Sequence, residues 1–285
     1  MVSDQDSSSP PISKPAPSKE LTARVLSALV MVAIALLTAY WGGWPFALFW
    51  LAAGIAIMIE WTRMTGVEPR LPVQGVLAIG LGVLTTLFLS EARTVLFLAA
   101  GLFFLAAGTL LTRGAASRIW SASGFLYALP IILVPPIVRD HPELGILGLL
   151  WMFAVVWATD IAAYFTGRTF GGPKLCPPIS PKKTWSGFIG GVVAAALGGV
   201  LVAWAGQNYG LNLPFGLLGT AVLSVVASVA SQIGDLGESA LKRHCNVKDS
   251  SHLIPGHGGV MDRLDGFWAV CLIVAAVLST IHFIP

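Results

Sequence analysis

The sequence predicts an all-α polytopic integral membrane protein of about nine transmembrane helices, with its N-terminus in the cytoplasm. Three observations predict it. The 285 residues are 55% hydrophobic and only 11% charged, whereas a soluble domain carries about a quarter charged residues. Apolar runs of roughly the 17–25 residues that cross a bilayer recur along the chain. Basic residues fall almost entirely on one side of those runs.

Residues 1–20 are polar and rich in Ser and Pro, and are expected to be a disordered tail. Arg24 introduces the first apolar run, read as an uncleaved signal-anchor because many further spans follow. Measured against the bilayer, the spans fall at roughly 24–40, 44–60, 73–89, 94–111, 120–138, 144–165, 186–205, 213–233 and 264–283. The fifth is interrupted by Pro130, Pro135 and Pro136. Such breaks are tolerated where protein rather than lipid surrounds the helix. Trp41, Trp44, Trp50, Trp61, Trp120 and Trp151 lie near span ends and are expected to be interfacial anchors. Glu60 and Glu91, also at span ends, are expected to be solvated.

With the N-terminus inside, the inner segments hold fifteen of the seventeen Lys and Arg residues, leaving Arg93 and Arg139 outside. Removing one span would put the basic loops of one half on the wrong side of the membrane. Residues 21–140 therefore read as an N-terminal set of membrane helices. Residues 141–285 carry the remaining spans and two long polar loops, 166–185 and 234–263, both facing the cytoplasm.

Three cysteines, far apart and odd in number, give no disulfide framework and no Cys-x-x-Cys pattern. His244, Cys245, His252 and His257 fit no common zinc spacing. No repeat recurs at a fixed period.

The chemistry-bearing residues collect in the second half. Asp160 lies late in the sixth span, where a carboxylate costs about 2.5–3.5 kcal/mol to insert unless it meets water, a cation or protein. Asp235 closes the eighth span and Asp262 opens the ninth, so their helix ends can be neighbours. Asp265 shares a face with Asp262 if that helix begins near Met261. Two carboxylates beside many basic residues suit Mg²⁺, which takes one or two carboxylates plus phosphates and water. A helix cap with a salt bridge to Arg243 or Arg263 is the plainer reading of the same residues. Ser180-Pro-Lys-Lys-Thr184 is a second anion-binding candidate, with Lys182 and Lys183 as point charges. It is no P-loop, and a basic patch for lipid headgroups is its plainer reading. Gly167-Arg-Thr-Phe-Gly-Gly-Pro-Lys174 reads as a plain basic loop.

The stretch from Ser239 to Asp265 resembles the signature of the phosphatidate cytidylyltransferases, or CDP-diglyceride synthases. Ser239, Lys242, Arg243, Lys248, Asp249, His257, Gly258, Gly259, Asp262, Arg263 and Asp265 all fall in place. The likeness extends upstream through Asp160, the Ser180–Thr184 segment and Asp235, covering roughly the C-terminal half; the first 140 residues match only as hydrophobic spans. The resemblance implies that CTP and phosphatidate react to CDP-diacylglycerol and pyrophosphate, in phospholipid biosynthesis. It implies Mg²⁺ on Asp235 and Asp262, with Asp160 beside them and a monovalent cation such as K⁺ nearby. It implies a catalytic set of Lys182, Lys183, Lys242, Arg243, Lys248, Asp249, His257 and Asp265. Substrate contacts would come from Ser180, Thr184, Ser239, Gly258, Gly259 and Arg263. It further implies a homodimer in a bacterial-type inner membrane, with a cytoplasmic site and no nucleic-acid partner. Two rivals remain at this point. A CTP-dependent lipid kinase of the polyprenol type would move a different phosphate. A transporter would use Asp160 on an ion path, but its polar groups would spread through the spans rather than cluster at one face.

Overall fold

The computed structural model describes residues 17–254 and 258–281. His257 and Pro285 lie outside the described residues. Among the described residues the chain forms nine helices: α1 (Pro17–Trp41), α2 (Gly43–Met64), α3 (Arg70–Leu89), α4 (Thr94–Leu110), α5 (Ala115–Asp140), α6 (Gly145–Phe170), α7 (Trp185–Gln207), α8 (Gly216–His244) and α9 (Met261–Ile281). A two-stranded antiparallel hairpin, β1 (Lys174–Cys176) and β2 (Ser180–Thr184), joins α6 to α7. Every expected span coincides with a helix. Seven are long and apolar enough to cross a membrane, while α4 and the Leu26–Trp41 part of α1 are shorter apolar helices.

The helices differ from the expected spans chiefly at their polar ends. Residues 234–244, expected as loop, continue α8 by about three turns. The loop between α8 and α9 is thereby confined to residues 245–260. The segment expected as loop 166–185 is helical through Phe170 and then forms the hairpin. Helix α5 runs unbroken through its three prolines, and Ile131, Ile132, Val134, Pro135, Pro136 and Val138 around them are buried in protein.

Helix α7 illustrates how the bundle closes. Gly187, Gly191, Ala195, Gly199, Ala203 and Gly206 form a buried small-residue stripe, while Ile189, Val193, Leu197, Leu201 and Trp204 point outward and are exposed. Lipid is as apolar as leucine, so close backbone approach rather than hydrophobic exclusion holds such helices together. At Gly187 a Cβ would stand 2.8 Å from the Ala163 carbonyl oxygen of α6. Interhelical hydrogen bonds add to this packing. Thr159 Oγ1 donates to Ser228 Oγ at 2.8 Å, and Trp151 Nε1 donates to Ser224 Oγ at 2.8 Å.

Helices α2, α6 and α9 meet at stacked rings. Trp50 and Phe267 have centroids 5.0 Å apart, and Phe153 and Phe267 5.5 Å. Trp50, Trp61 and Trp151 are therefore core residues rather than interfacial anchors, each at most 8% exposed. Trp41 and Trp44 are exposed, as an anchor requires.

Candidate functional site

The site is assembled at the end of the bundle where α8 leaves its apolar stretch. Because α8 remains helical to His244, Asp235, Glu238, Ser239 and Lys242 fall at spacings of three and four and form one stripe. Helix α9 begins at Met261, so Asp262 and Asp265 do share a face and lie against that stripe.

Two lysines organise the charges. Lys183 Nζ, on β2, lies 2.6 Å from Asp235 Oδ2 and fastens the hairpin to α8. Lys242 Nζ lies 2.6 Å from Asp262 Oδ1 and 3.1 Å from Glu238 Oε1, so one ammonium serves two carboxylates. The second cluster is deeper. Side-chain exposures are 13% for Lys242, 6% for Asp262 and 0% for Glu238, against 24% and 37% for Lys183 and Asp235.

Asp262 also organises the loop before it. Its Oδ2 accepts from the backbone N–H of Ser250 at 2.9 Å, from that of Gly259 at 2.8 Å, and contacts Ser250 Oγ at 3.0 Å. Gly258 adopts a φ of +83°, which favours glycine, and a Cβ there would press on Asp262 Oδ2. Gly258 and Gly259 thus shape the turn around Asp262.

Asp160 is exposed on α6, within electrostatic reach of Asp235, Lys183 and Arg263. Asp265 is half-buried on α9, within reach of Asp235 and Asp160. Asp160, Asp235 and Asp265 therefore share one neighbourhood, with Asp262 a turn away beside Lys242. Thr184 is buried and caps α7, accepting from Gly187 N–H at 3.2 Å. Ser239 Oγ contacts Asp235 Oδ1 at 3.4 Å. Lys182, Arg243, Lys248, Asp249 and Arg263 are exposed at this end, and Ser180 is half-buried.

The chain belongs to the cytidylyltransferase family. The profile of that family matches residues 22–281, almost the whole chain. The phosphatidate cytidylyltransferase of Brucella suis biovar 1 (strain 1330) is 42% identical over 262 residues, covering 90% of this chain and 91% of the relative. Those of Pseudomonas aeruginosa and Haemophilus influenzae are 35% and 34% identical, covering 90% and 87% of this chain and 97% and 95% of theirs. The similarity therefore includes the N-terminal helices, where the signature residues are absent.

Two members of the site were not identified from sequence. Glu238 sits three residues from Asp235 and four from Lys242, a relation visible only once α8 extends past 233. Glu60, expected to be solvated, is 2% exposed and bonded into the α8–α9 loop. No local signal marks a partner some 190 residues away.

Among the described residues no three acidic, His or Cys side chains converge into a ligand shell. Mg²⁺ needs no such shell, because substrate phosphates and water fill most of its positions. Carboxylate oxygens are the hard donors it prefers, and Asp235 presents a partly exposed one. The donor set fits the ion. Alongside the charges, an apolar cavity of about 520 Å³ lies between α2, α5, α8 and α9. Trp61, Tyr127, Ile233, Gly237, Leu241 and Trp268 are among its walls, together with Glu238.

Proposed function

We propose that the protein is a phosphatidate cytidylyltransferase, converting CTP and phosphatidate to CDP-diacylglycerol and pyrophosphate. The observation that carries the reading is the pairing of Lys183 with Asp235 and Lys242 with Asp262 beside an apolar cavity, in a chain of this family. Two polyanions must be brought together, and their repulsion must be cancelled in a water-poor setting.

The lipid's phosphate monoester is already largely ionised near neutral pH, so its oxygen needs little help from a general base. That oxygen bonds to the α-phosphorus of CTP. The bond from that phosphorus to the α,β-bridging oxygen breaks, and pyrophosphate leaves with the electron pair. Mg²⁺ would be held by Asp235 and Asp262, with Asp160 and Asp265 completing the acidic surround. When bound it supplies Lewis-acid neutralisation of triphosphate oxygens. Lys183 and Lys242 neutralise these carboxylates in the free protein, and would be freed to meet phosphate if a cation took their place. Lys182, Arg243 and Lys248 add positive charge at the rim. The cavity beside Glu238 suits an acyl chain, which gains about 0.8 kcal/mol per buried CH₂ on leaving water and less on leaving lipid. The basic asymmetry of the sequence supports nine spans and a cytoplasmic site.

The test is the detergent-purified protein with CTP, phosphatidate and Mg²⁺, beside Asp235→Asn, which keeps size and loses charge. The wild type is expected to form CDP-diacylglycerol and pyrophosphate in equal amounts, and the variant neither. Absence of nucleotide-bearing lipid from the wild type would overturn the proposal.

A further inference from the structure

We infer that Glu60, on α2 in the N-terminal half, is a positioning residue that holds the α8–α9 loop in its working shape. The inference rests on the cytidylyltransferase reading of the site. Glu60 accepts from Ser251 Oγ at 2.6 Å and from the backbone N–H groups of Val260 and Met261 at 2.9 and 2.8 Å, and it contacts Ser250 Oγ at 3.1 Å. These donors stand at two separate places in the loop. One pair directly follows Lys248 and Asp249, and the other directly precedes Asp262. A single carboxylate thus ties both ends of the turn to α2. At the start of α9, where negative charge is favoured, the Val260 and Met261 amides are among the donors that have no acceptor within the helix.

The tie reaches the charged cluster through one atom. Ser250 Oγ lies 3.1 Å from Glu60 Oε2 and 3.0 Å from Asp262 Oδ2. A hydroxyl has one proton, so it donates to one of the two carboxylates at a time. Asp262 in turn contacts Lys242, which contacts Glu238. Gly259 fits the same spot because a Cβ there would crowd Ser250 Oγ and both Glu60 oxygens. Helix α2 thereby supports the site through Glu60, which acts on the loop. Glutamine would not substitute. It offers one acceptor oxygen, and its NH₂ would face donors.

The experiment uses the full-length enzyme in detergent, with Glu60→Gln, Ser251→Ala and the double variant. Each is judged by kcat, KM for CTP, and trypsin cleavage after the exposed Lys248. A purely structural loss lowers the amount of active protein and leaves the KM of the remainder unchanged. Positioning predicts that folded Glu60→Gln has a KM for CTP raised about tenfold or more, as loss of hydrogen bonds to a charged group implies. Ser251→Ala, which removes one of the four Glu60 contacts, should give a smaller rise, and the double variant less than the sum of the two, because the Ser251–Glu60 bond is lost in either. Cleavage after Lys248 should quicken while the other tryptic sites keep wild-type resistance. Wild-type KM and wild-type cleavage in Ser251→Ala and Glu60→Gln would overturn the inference, and so would strictly additive effects. If Glu60→Gln cannot be purified, Ser251→Ala decides alone by the same two readouts. A wild type inactive toward CTP and phosphatidate would instead bring down the activity reading, leaving the cleavage result to judge the role of Glu60.

Discussion

Lys183 and Lys242 carry the same charge and make ion pairs of the same length, yet removing them should have different consequences. Lys183 and Asp235 are a quarter and more than a third exposed, and water compensates much of a broken pair there. Lys183→Met is expected to cost no more than about 1 kcal/mol of stability while abolishing turnover. Lys242 is nearly buried between Asp262 and Glu238, and its loss would strand the buried Asp262 carboxylate. Lys242→Met is expected to cost about 3–5 kcal/mol as well as activity. Thermal unfolding in detergent checks this. Equal melting temperatures for the two variants would contradict the burial difference. At this scale much of the site could be read from sequence, because charges in a greasy chain stand out. Glu60 could not. Its role depends on a tertiary contact with a loop from the other half of the chain, and a charge at the end of an apolar run looks the same whether water or protein meets it.

At the scale of elements, hydropathy located every helix and misjudged where the polar ones stop. A run of apolar residues marks the part of a helix that meets lipid, not the part that is helical. Residues 234–244 of α8 include Leu236, Glu238, Ala240, Leu241, Lys242 and Arg243, all good helix formers, so the helix continues past its apolar stretch. That continuation turns a list of charges into a stripe. The tryptophans were misjudged for a related reason. Proximity to a span end does not say which face a ring occupies, and Trp50, Trp61 and Trp151 face protein. The apolar cavity between α2, α5, α8 and α9 gives this scale its prediction. Gly237 lines it, and a Cβ at Gly237 meets nothing within 4 Å. Gly237→Trp should therefore fold, occupy the cavity and raise the KM for phosphatidate severalfold, leaving the KM for CTP near wild type. Steady-state kinetics with each substrate varied in turn checks it. An unchanged KM for phosphatidate would remove the cavity from lipid binding.

For the whole molecule, the distribution of Lys and Arg predicts orientation. Under the positive-inside rule, fifteen basic residues inside against two outside would put the α8–α9 loop in the cytoplasm and the chain after α9 across the membrane from it. A phosphatase fused after Pro285 is expected to be active only outside the cytoplasm, and cytoplasmic activity would contradict nine spans. The central claim, however, concerns which phosphorus is attacked. A nucleotidyl transfer and a terminal-phosphate transfer can share CTP, Mg²⁺, basic side chains and a lipid at one membrane face, so loss-of-function variants do not separate them. The lysine-rich cluster favours the first, since a neutral alcohol acceptor brings no second anion whose charge must be cancelled. The most direct measurement is to follow label from CTP into lipid. Label at the α-phosphorus should enter the organic phase together with cytidine, while label at the γ-phosphorus should leave as pyrophosphate. Lipid carrying γ-label and no cytidine would contradict the account.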